Sequence, residues 1–417
     1  MSRNGPPDDD APAAHGRLTV TIVEFTPSGG LYHFALQLGE AIAALGHDVE
    51  LLTGHHPELM PRHPGLRVVP SLPTWRPGAS GSESSIVRKV RRAWRALRYI
   101  AAWRRVVSHV RKRRPDVVQL GDLRFAIDGH YVARLAKLRR RPVLVDLAHT
   151  PRPHRRGRGD ETLHKQGPVV ERGLGRAYAT FDAVLVLGER SAGELREAWP
   201  QVGRVEIVPH GLDGIFSTTT VAPPDRTEPV ALFFGNFDRY KGLDLLLDAF
   251  AIVHARMPEA RLVAAGSVSP DLDFSDLRER AAAIDGVDLR PGYVANEDVP
   301  ALFEQSRVVV LPYRAANQSG VVHVAQGFGR PVVVTDVGDL AEVVGDGVSG
   351  LVVGPDDHEA LAAAIERLLR DPAEAARLGE NGRQRAASDA SWSEVATRIG
   401  DLYTELVASR TSRAPSR

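Results

Sequence analysis

The sequence predicts an α/β protein of two Rossmann-like, doubly wound parallel-sheet domains that face a central cleft. Three observations carry this. From Leu18 to Thr53 a strand, a glycine loop, a helix and a second strand follow one another, which is a βαβ unit. The same alternation restarts at Val230, after a Thr/Pro-rich stretch at 216–229. Between Leu311 and Val344 a polar loop and an apolar helix lie between two short buried-type strands, Val308–Leu311 and Val332–Val334.

Composition sets the outer limits. A chain of 417 residues is long enough for two or three domains with real cores, and its 43% hydrophobic and 25% charged residues are those of a globular protein. There is no cysteine, which excludes disulfides, thiolate metal sites and a cysteine nucleophile. Residues 1–16 are polar and Pro/Gly-rich without an apolar run, so they read as a disordered tail rather than a secretory signal. No stretch approaches the roughly 20 apolar residues of a spanning helix. The net charge of +1 hides an asymmetry: residues 1–215 hold 33 Lys+Arg against 22 Asp+Glu, and the remainder hold 20 against 30. Two halves of opposite sign suggest two domains with different partners.

In the first half, Thr26-Pro27-Ser28-Gly29-Gly30 follows strand 18–25 and precedes a helix over 31–45 with apolar residues at Phe34, Leu38, Ile42 and Leu45. The loop lacks the G-x-G-x-x-G of a dinucleotide site, but paired glycines let a ligand approach the backbone; a tight turn without a ligand is the plainer alternative. Residues 54–82 read as an irregular insertion. Residues 84–114 read as a basic amphipathic helix or helix pair, with Ile86, Val90, Trp94, Leu97, Ala101, Val107 and Val110 on its apolar side and twelve Lys/Arg between Arg88 and Arg114. Such a segment suits an anionic membrane surface, or else a helix packed on its own domain with a solvated arginine face. No nucleic-acid module accompanies the charge. Strands at 116–120, 142–146, 181–187 and 205–209 complete the domain, and the loop after strand 142–146 carries His149 and then an Arg/His-rich run at 152–158. His149, His154 and His164 match no metal-site spacing.

In the second half, strand 230–234 leads into Gly235-Asn236-Phe237-Asp238-Arg239-Tyr240-Lys241-Gly242, followed by helix 243–256, strand 261–265, helix 274–284, strand 287–290 and helix 299–305. Loop 314–320 then opens into an apolar helix, and the unpaired N–H groups at such a helix start bind anions. Helices at 359–369 and 372–387 follow. Ser391-Trp392-Ser393-Glu394 is a capping-box pattern that starts a final helix to about 408, ahead of a disordered tail at 409–417. The expected domains are 17–212, with the final helix packed back on it, and 213–390.

Several motifs, in order, resemble the family-4 glycosyltransferases of the GT-B fold: Ser28-Gly29-Gly30 with Gly46-His47-Asp48-Val49, Val208-Pro209-His210-Gly211-Leu212-Asp213, Phe234-Gly235 with Tyr240-Lys241-Gly242-Leu243-Asp244, Gly292-Tyr293-Val294 with Val310-Leu311-Pro312, and Gly329-Arg330-Pro331 through Gly338 with Glu342. The resemblance implies transfer of a sugar from a nucleotide-diphosphate donor to an acceptor hydroxyl with retention of configuration, with no metal or other cofactor. The acceptor would be a sugar or a lipid-linked sugar, and the setting bacterial, cytoplasmic or at the cytoplasmic membrane face, in polysaccharide or glycolipid synthesis. It assigns Lys241 to the diphosphate, His149 to the reacting region, and donor contacts to Gly29, Gly30, Gly235 and the N–H groups of Ser319, Gly320, Val321 and Val322. His210 would mark the linker and be structural. Three departures stand out. Asn236 occupies the position of a family arginine, so Arg239 or Arg314 would have to supply that charge. Ala316 and Val324 stand where the family has a Glu-x7-Glu pair, leaving Gln318 as the nearest uncharged substitute. A catalytically silent nucleotide-sugar-binding subunit and a nucleotide-sugar epimerase on the same fold are the alternatives.

Overall fold

The computed structural model describes residues 16–74, 85–121, 123–151, 167–211, 215–216, 221–269, 272–389 and 391–412. Most of the expected terminal tails, the 152–158 run with His154 and His164, and Leu212 and Asp213 of the linker lie outside these residues.

The first domain runs β1 (Thr19–Val23), α1 (Gly30–Ala44), β2 (Asp48–Gly54), β3 (Leu66–Leu72), α2 (Ser85–Arg113), β4 (Val117–Gly121), α3 (Ala126–Ala136), β5 (Val143–Leu147), α4 (Pro168–Tyr178), β6 (Ala183–Val186), α5 (Glu189–Ala198) and β7 (Arg204–Ile207). The second runs β8 (Val230–Phe234), α6 (Leu243–Arg256), β9 (Arg261–Gly266), α7 (Ser275–Ala282), β10 (Val287–Pro291), α8 (Val299–Gln305), β11 (Val308–Leu311), α9 (Gly320–Gly327), β12 (Val332–Thr335), α10 (Leu340–Val344), β13 (Gly350–Val353), α11 (His358–Arg370) and α12 (Pro372–Asp389), and α13 (Trp392–Ser412) closes the chain. The sheet orders are β3-β2-β1-β4-β5-β6-β7 and β10-β9-β8-β11-β12-β13. Every pairing is parallel. In such sheets ligands bind beyond the strand carboxyl ends, where the connections change direction.

The strands are apolar on both sides because helices cover both faces. In β5, Val143, Val145 and Leu147 join one buried cluster of the first domain, while Leu144, with Ala148 just past the strand, joins the other. The second domain has one continuous core around β8, β11 and β12. The final helix α13 packs on the first domain: Val395, Ala396, Ile399, Leu402 and Tyr403 share a cluster with α1 and β1. Arg410 clamps Asp182 with both oxygens at 2.6 Å, and the helix continues to Ser412, past the expected end at 408.

Two expectations change. The insertion 54–82 contains strand β3, whose Pro70 is tolerated because β3 is an edge strand and loses no ladder bond on its open side. Residues 85–113 form a single helix, but its apolar residues do not share one side. Tyr99, Ala102, Trp103, Val106 and Val110 are buried, whereas Val90, Trp94 and Leu97 are 64%, 52% and 66% exposed. At 100° per residue the two sets point in opposite directions, so the helix changes its apolar face midway along its length.

Candidate active site

Lys241 and the head of α9 converge at Gly235. A Cβ placed on Gly235 would lie 3.0 Å from Lys241 Nζ and 3.8 Å from Val321 Cγ2. The Lys241 ammonium sits 5.3 Å from the centre of the Tyr313 ring, a cation–π distance. Burial works against this charge, but the Tyr313 and Tyr240 oxygens and Asp238 outweigh it, and the ammonium pKa lies above the usual lysine value. The turn that delivers Lys241 requires glycine at 242: its φ is +67°, and a Cβ there would lie 2.0 Å from the Pro312 carbonyl oxygen.

At the start of α9, Ser319 is extended and caps the helix without a side-chain bond. The Val322 N–H turns back onto the Ser319 carbonyl at 3.1 Å. Among the described residues the open amides at this end are therefore those of Ser319, Gly320 and Val321, and Val322 drops out of the expected cradle. Open amides at a helix start, beside a half-buried ammonium, are suited to an anion.

Several other expected contacts are already engaged. Arg314 donates from both Nη atoms to Asp244 at 2.7 and 2.9 Å and from Nε to Asp356 at 2.7 Å. It ties its loop to the start of α6 and to Asp356, so its charge is already shared between two carboxylates. Asn236 and Arg239 are exposed on the loop ahead of Lys241. Gln318 donates its amide to the Leu187 carbonyl at 3.0 Å, across to the first domain, and its Oε1 is buried without a partner. Val324 is in the second core, with Ala316 packed at its edge.

On the facing side, the Gly29 N–H donates to Glu58 Oε2 at 2.8 Å, and Glu58 also bonds His33 Nε2 at 3.0 Å and the hydroxyl of Tyr293 from the second domain. The His33 hydrogen bond, helped by those from Tyr293 and Gly29, lowers the Glu58 pKa to about 2. Gly29 is thus the N-cap of α1 with its amide engaged, and Gly30 is the first residue of that helix, exposed. Glu58 had no sequence signal, because it lies in the stretch read as irregular.

Two imidazoles meet on Phe34, and a third stacks behind one of them. His149 and His210 meet its ring edge-on at 5.0 and 4.8 Å, and His210 stacks face to face on His323 of α9 at 4.2 Å. Burial first, then the neighbouring charges of His210 and Arg124, brings His149 down to about 3; burial brings His210 to about 4. His323 is also held well below the usual range by burial and by His210, which outweigh the opposing effect of Gln326. All three are neutral at pH 7. His210 is therefore part of the domain junction itself, and His323 was hidden in what reads as an apolar helix.

Two facing Rossmann-like domains with a candidate anion site at the cleft are the arrangement of the GT-B fold. The family model "Glycosyl transferase 4-like domain" matches residues 29–211 and "Glycosyl transferases group 1" matches 228–371. The chain belongs to this group of glycosyltransferases. It is similar to a glycogen synthase of Mycobacterium tuberculosis, 26% identical over 96% of both chains. It is also similar to an MMP alpha-(1->4)-mannosyltransferase of Mycolicibacterium hassiacum, 28% identical over 92% of this chain and 96% of the relative. Its fold matches sucrose-phosphate synthase from Thermosynechococcus elongatus with a TM-score of 0.72 at 23% identity, covering 94% of this chain and all of that one. It matches Anabaena HepE, solved in complex with UDP-glucose, with a TM-score of 0.67 at 14% identity, covering 93% and 100%.

Proposed function

We propose that this glycosyltransferase takes its sugar from a nucleotide-diphosphate donor held by the second domain and transfers it, with retention, to an acceptor hydroxyl on the first. The observation that carries the reading is the meeting of Lys241 Nζ with the head of α9 at Gly235. A departing diphosphate needs its charge neutralised where it develops; a half-buried ammonium and preorganised amides supply this without a metal ion. The UDP-glucose in the HepE complex supports a nucleotide-sugar donor of this kind.

His149 is neutral near pH 7, so it acts as a hydrogen-bond donor or acceptor and carries no charge to the reacting carbon. In a retaining transfer the departing phosphate oxygen accepts the acceptor's proton, and no dedicated base is required. The acceptor is a sugar or lipid-linked sugar reached at an anionic membrane surface, a reading supported by the exposed Val90, Trp94 and Leu97 on the arginine-rich α2. Among the described residues no helix is long and apolar enough to cross a membrane.

The test is a thermal-shift and turnover panel of UDP-, GDP- and ADP-sugars with the native chain and Lys241→Ala. At 100 times Kd a ligand stabilises by about 2.7 kcal/mol. One donor should raise Tm and be turned over, and Lys241→Ala should abolish both effects. Absence of a shift with every nucleotide, or full turnover by Lys241→Ala, would sink the reading.

A further inference from the structure

The loop that forms the head of α9 is fastened to the other domain around one glycine and one aspartate. Helix α5 begins after Gly188, which has no side chain with which to cap it. The cap comes from the second domain: Asp339, fully buried, accepts from the Ser191 N–H at 3.2 Å and from the Ser191 hydroxyl. Ser191 is the third residue of α5, where a capping carboxylate normally bonds. A Cβ on Gly188 would lie 2.3 Å from Asp339 Cγ and 2.6 Å from each carboxylate oxygen, so the aspartate fits only because residue 188 is glycine.

The same aspartate holds loop 314–320. Its N–H donates to the Asn317 carbonyl at 2.9 Å. Asn317 Nδ2 then donates to Glu194 of α5 at 2.9 Å, and Gln318 Nε2 to the Leu187 carbonyl at 3.0 Å. Arg190 closes the rim, 2.8 Å from Asp336 and 3.1 Å from the Gly338 carbonyl. The loop leading into Ser319, Gly320 and Val321 is thus bonded on one side to its own domain through Asp339 and on the other to α5 and to Leu187 just before it.

We propose that Asp339 is a positioning residue that caps α5 in trans, so that domain closure and the formation of the amide cradle at the head of α9 are one event. When the domains part, α5 loses its cap and loop 314–320 loses its bonds to residues 187 and 194. The cradle is then complete only in the closed form, which confines tight anion binding to the state in which both substrates' domains meet. The proposal rests on the donor-loop reading for its second half only.

Gly188 offers a clean perturbation, because its φ of −173° is extended backbone that alanine adopts without strain. Gly188→Ala therefore acts against the seated carboxylate and not against the fold of α5. Gly193→Ala, on the same helix with nothing within 4 Å of its Cβ, is the control. The chain has no cysteine, so Arg139→Cys and Glu359→Cys, both exposed, place one spin label in each domain. The native chain and Gly193→Ala should give one short, narrow distance distribution. Gly188→Ala and Asp339→Ala should give longer and broader ones, with Asp339→Asn, which keeps an acceptor for the Ser191 N–H, close to native. UDP, used as the probe, should bind at least 5-fold more weakly to Gly188→Ala and Asp339→Ala. Native distances in both folded variants would overturn the clasp, and lengthened distances with native UDP affinity would overturn the positioning role. If UDP binds no form of the chain, the donor reading fails along with the positioning role, and the distances still decide the clasp.

Discussion

Acidification should destabilise this protein through the imidazoles at its domain junction, and the size of the effect can be worked out. His149 and His210 have folded pKa values of about 3 and about 4, against about 6.5 for an unfolded histidine. A base whose folded pKa is depressed binds its proton more readily in the unfolded chain. Stability is therefore full above 6.5 and falls as pH drops toward 4. At pH 5 the folded groups are still neutral, so each costs RT ln(1 + 10^1.5), about 2 kcal/mol. The two costs add to about 4 kcal/mol, because coupling between the rings matters only once one is protonated in the folded state. His323, shifted the same way, deepens the loss. The assay is urea unfolding followed by far-UV circular dichroism at pH 7 and pH 5, for the native chain and for His149→Gln/His210→Asn. Carboxylates titrate identically in both chains and cancel in the difference, including Glu24, Asp128 and Asp146, whose burial raises their pKa values and favours the folded state at low pH. The native chain should lose about 4 kcal/mol more than the variant over this interval. Equal losses in the two chains would refute the account of buried neutral imidazoles.

Three further perturbations follow from the structure. Asp146 is fully buried on β5 with neither carboxylate oxygen bonded, so Asp146→Val should stabilise the fold by about 1–3 kcal/mol. Since burial raises its pKa, the gain should be larger at pH 8 than at pH 5, and a loss of stability by urea unfolding would contradict this. Gly338 has φ +53° and a Cβ there would lie 1.9 Å from the Ala316 carbonyl oxygen, so Gly338→Ala should cost more than about 1 kcal/mol and weaken nucleotide binding, as read by denaturation and calorimetry. Trp94→Ser/Leu97→Ser should reduce sedimentation with anionic vesicles while leaving Tm unchanged, because both residues are exposed; binding unaffected by the change or by added salt would remove the membrane contact.

How much of this could be read from the chain depends on whether a feature is local. The two sheets were legible because each βαβ unit carries its own periodicity, and the Lys241 turn and the head of α9 were legible because each is a short motif. Strand β3 was not, since Pro70 argues against a strand unless the strand is known to lie at an edge. The burial along α2 was not either: spacing separates Val90, Trp94 and Leu97 from Tyr99, Trp103 and Val106 on opposite sides of the helix, but only the packing shows which side the domain covers. At the site, the charge of Arg314 looked available because its two carboxylate partners, Asp244 and Asp356, lie 70 and 42 residues away.

The clasp is the extreme case. Ser191 and Asp339 are 148 residues apart, and the third participant, Gly188, contributes by having no side chain. A sequence records glycine either as a turn or as room for a neighbour, and the extended φ at Gly188 rules out the first. Its role therefore depends on what the other domain places there, which is a property of the closed pair and of neither half alone. The same holds for His210 and His323, two unremarkable imidazoles until the domains stack them. On the proposed reading the donor site is written locally, in one lysine and one helix start, while the means of assembling it is written across the domain boundary. Substitutions at the boundary should therefore alter donor affinity without touching donor, and those effects should be reproduced by holding the domains apart.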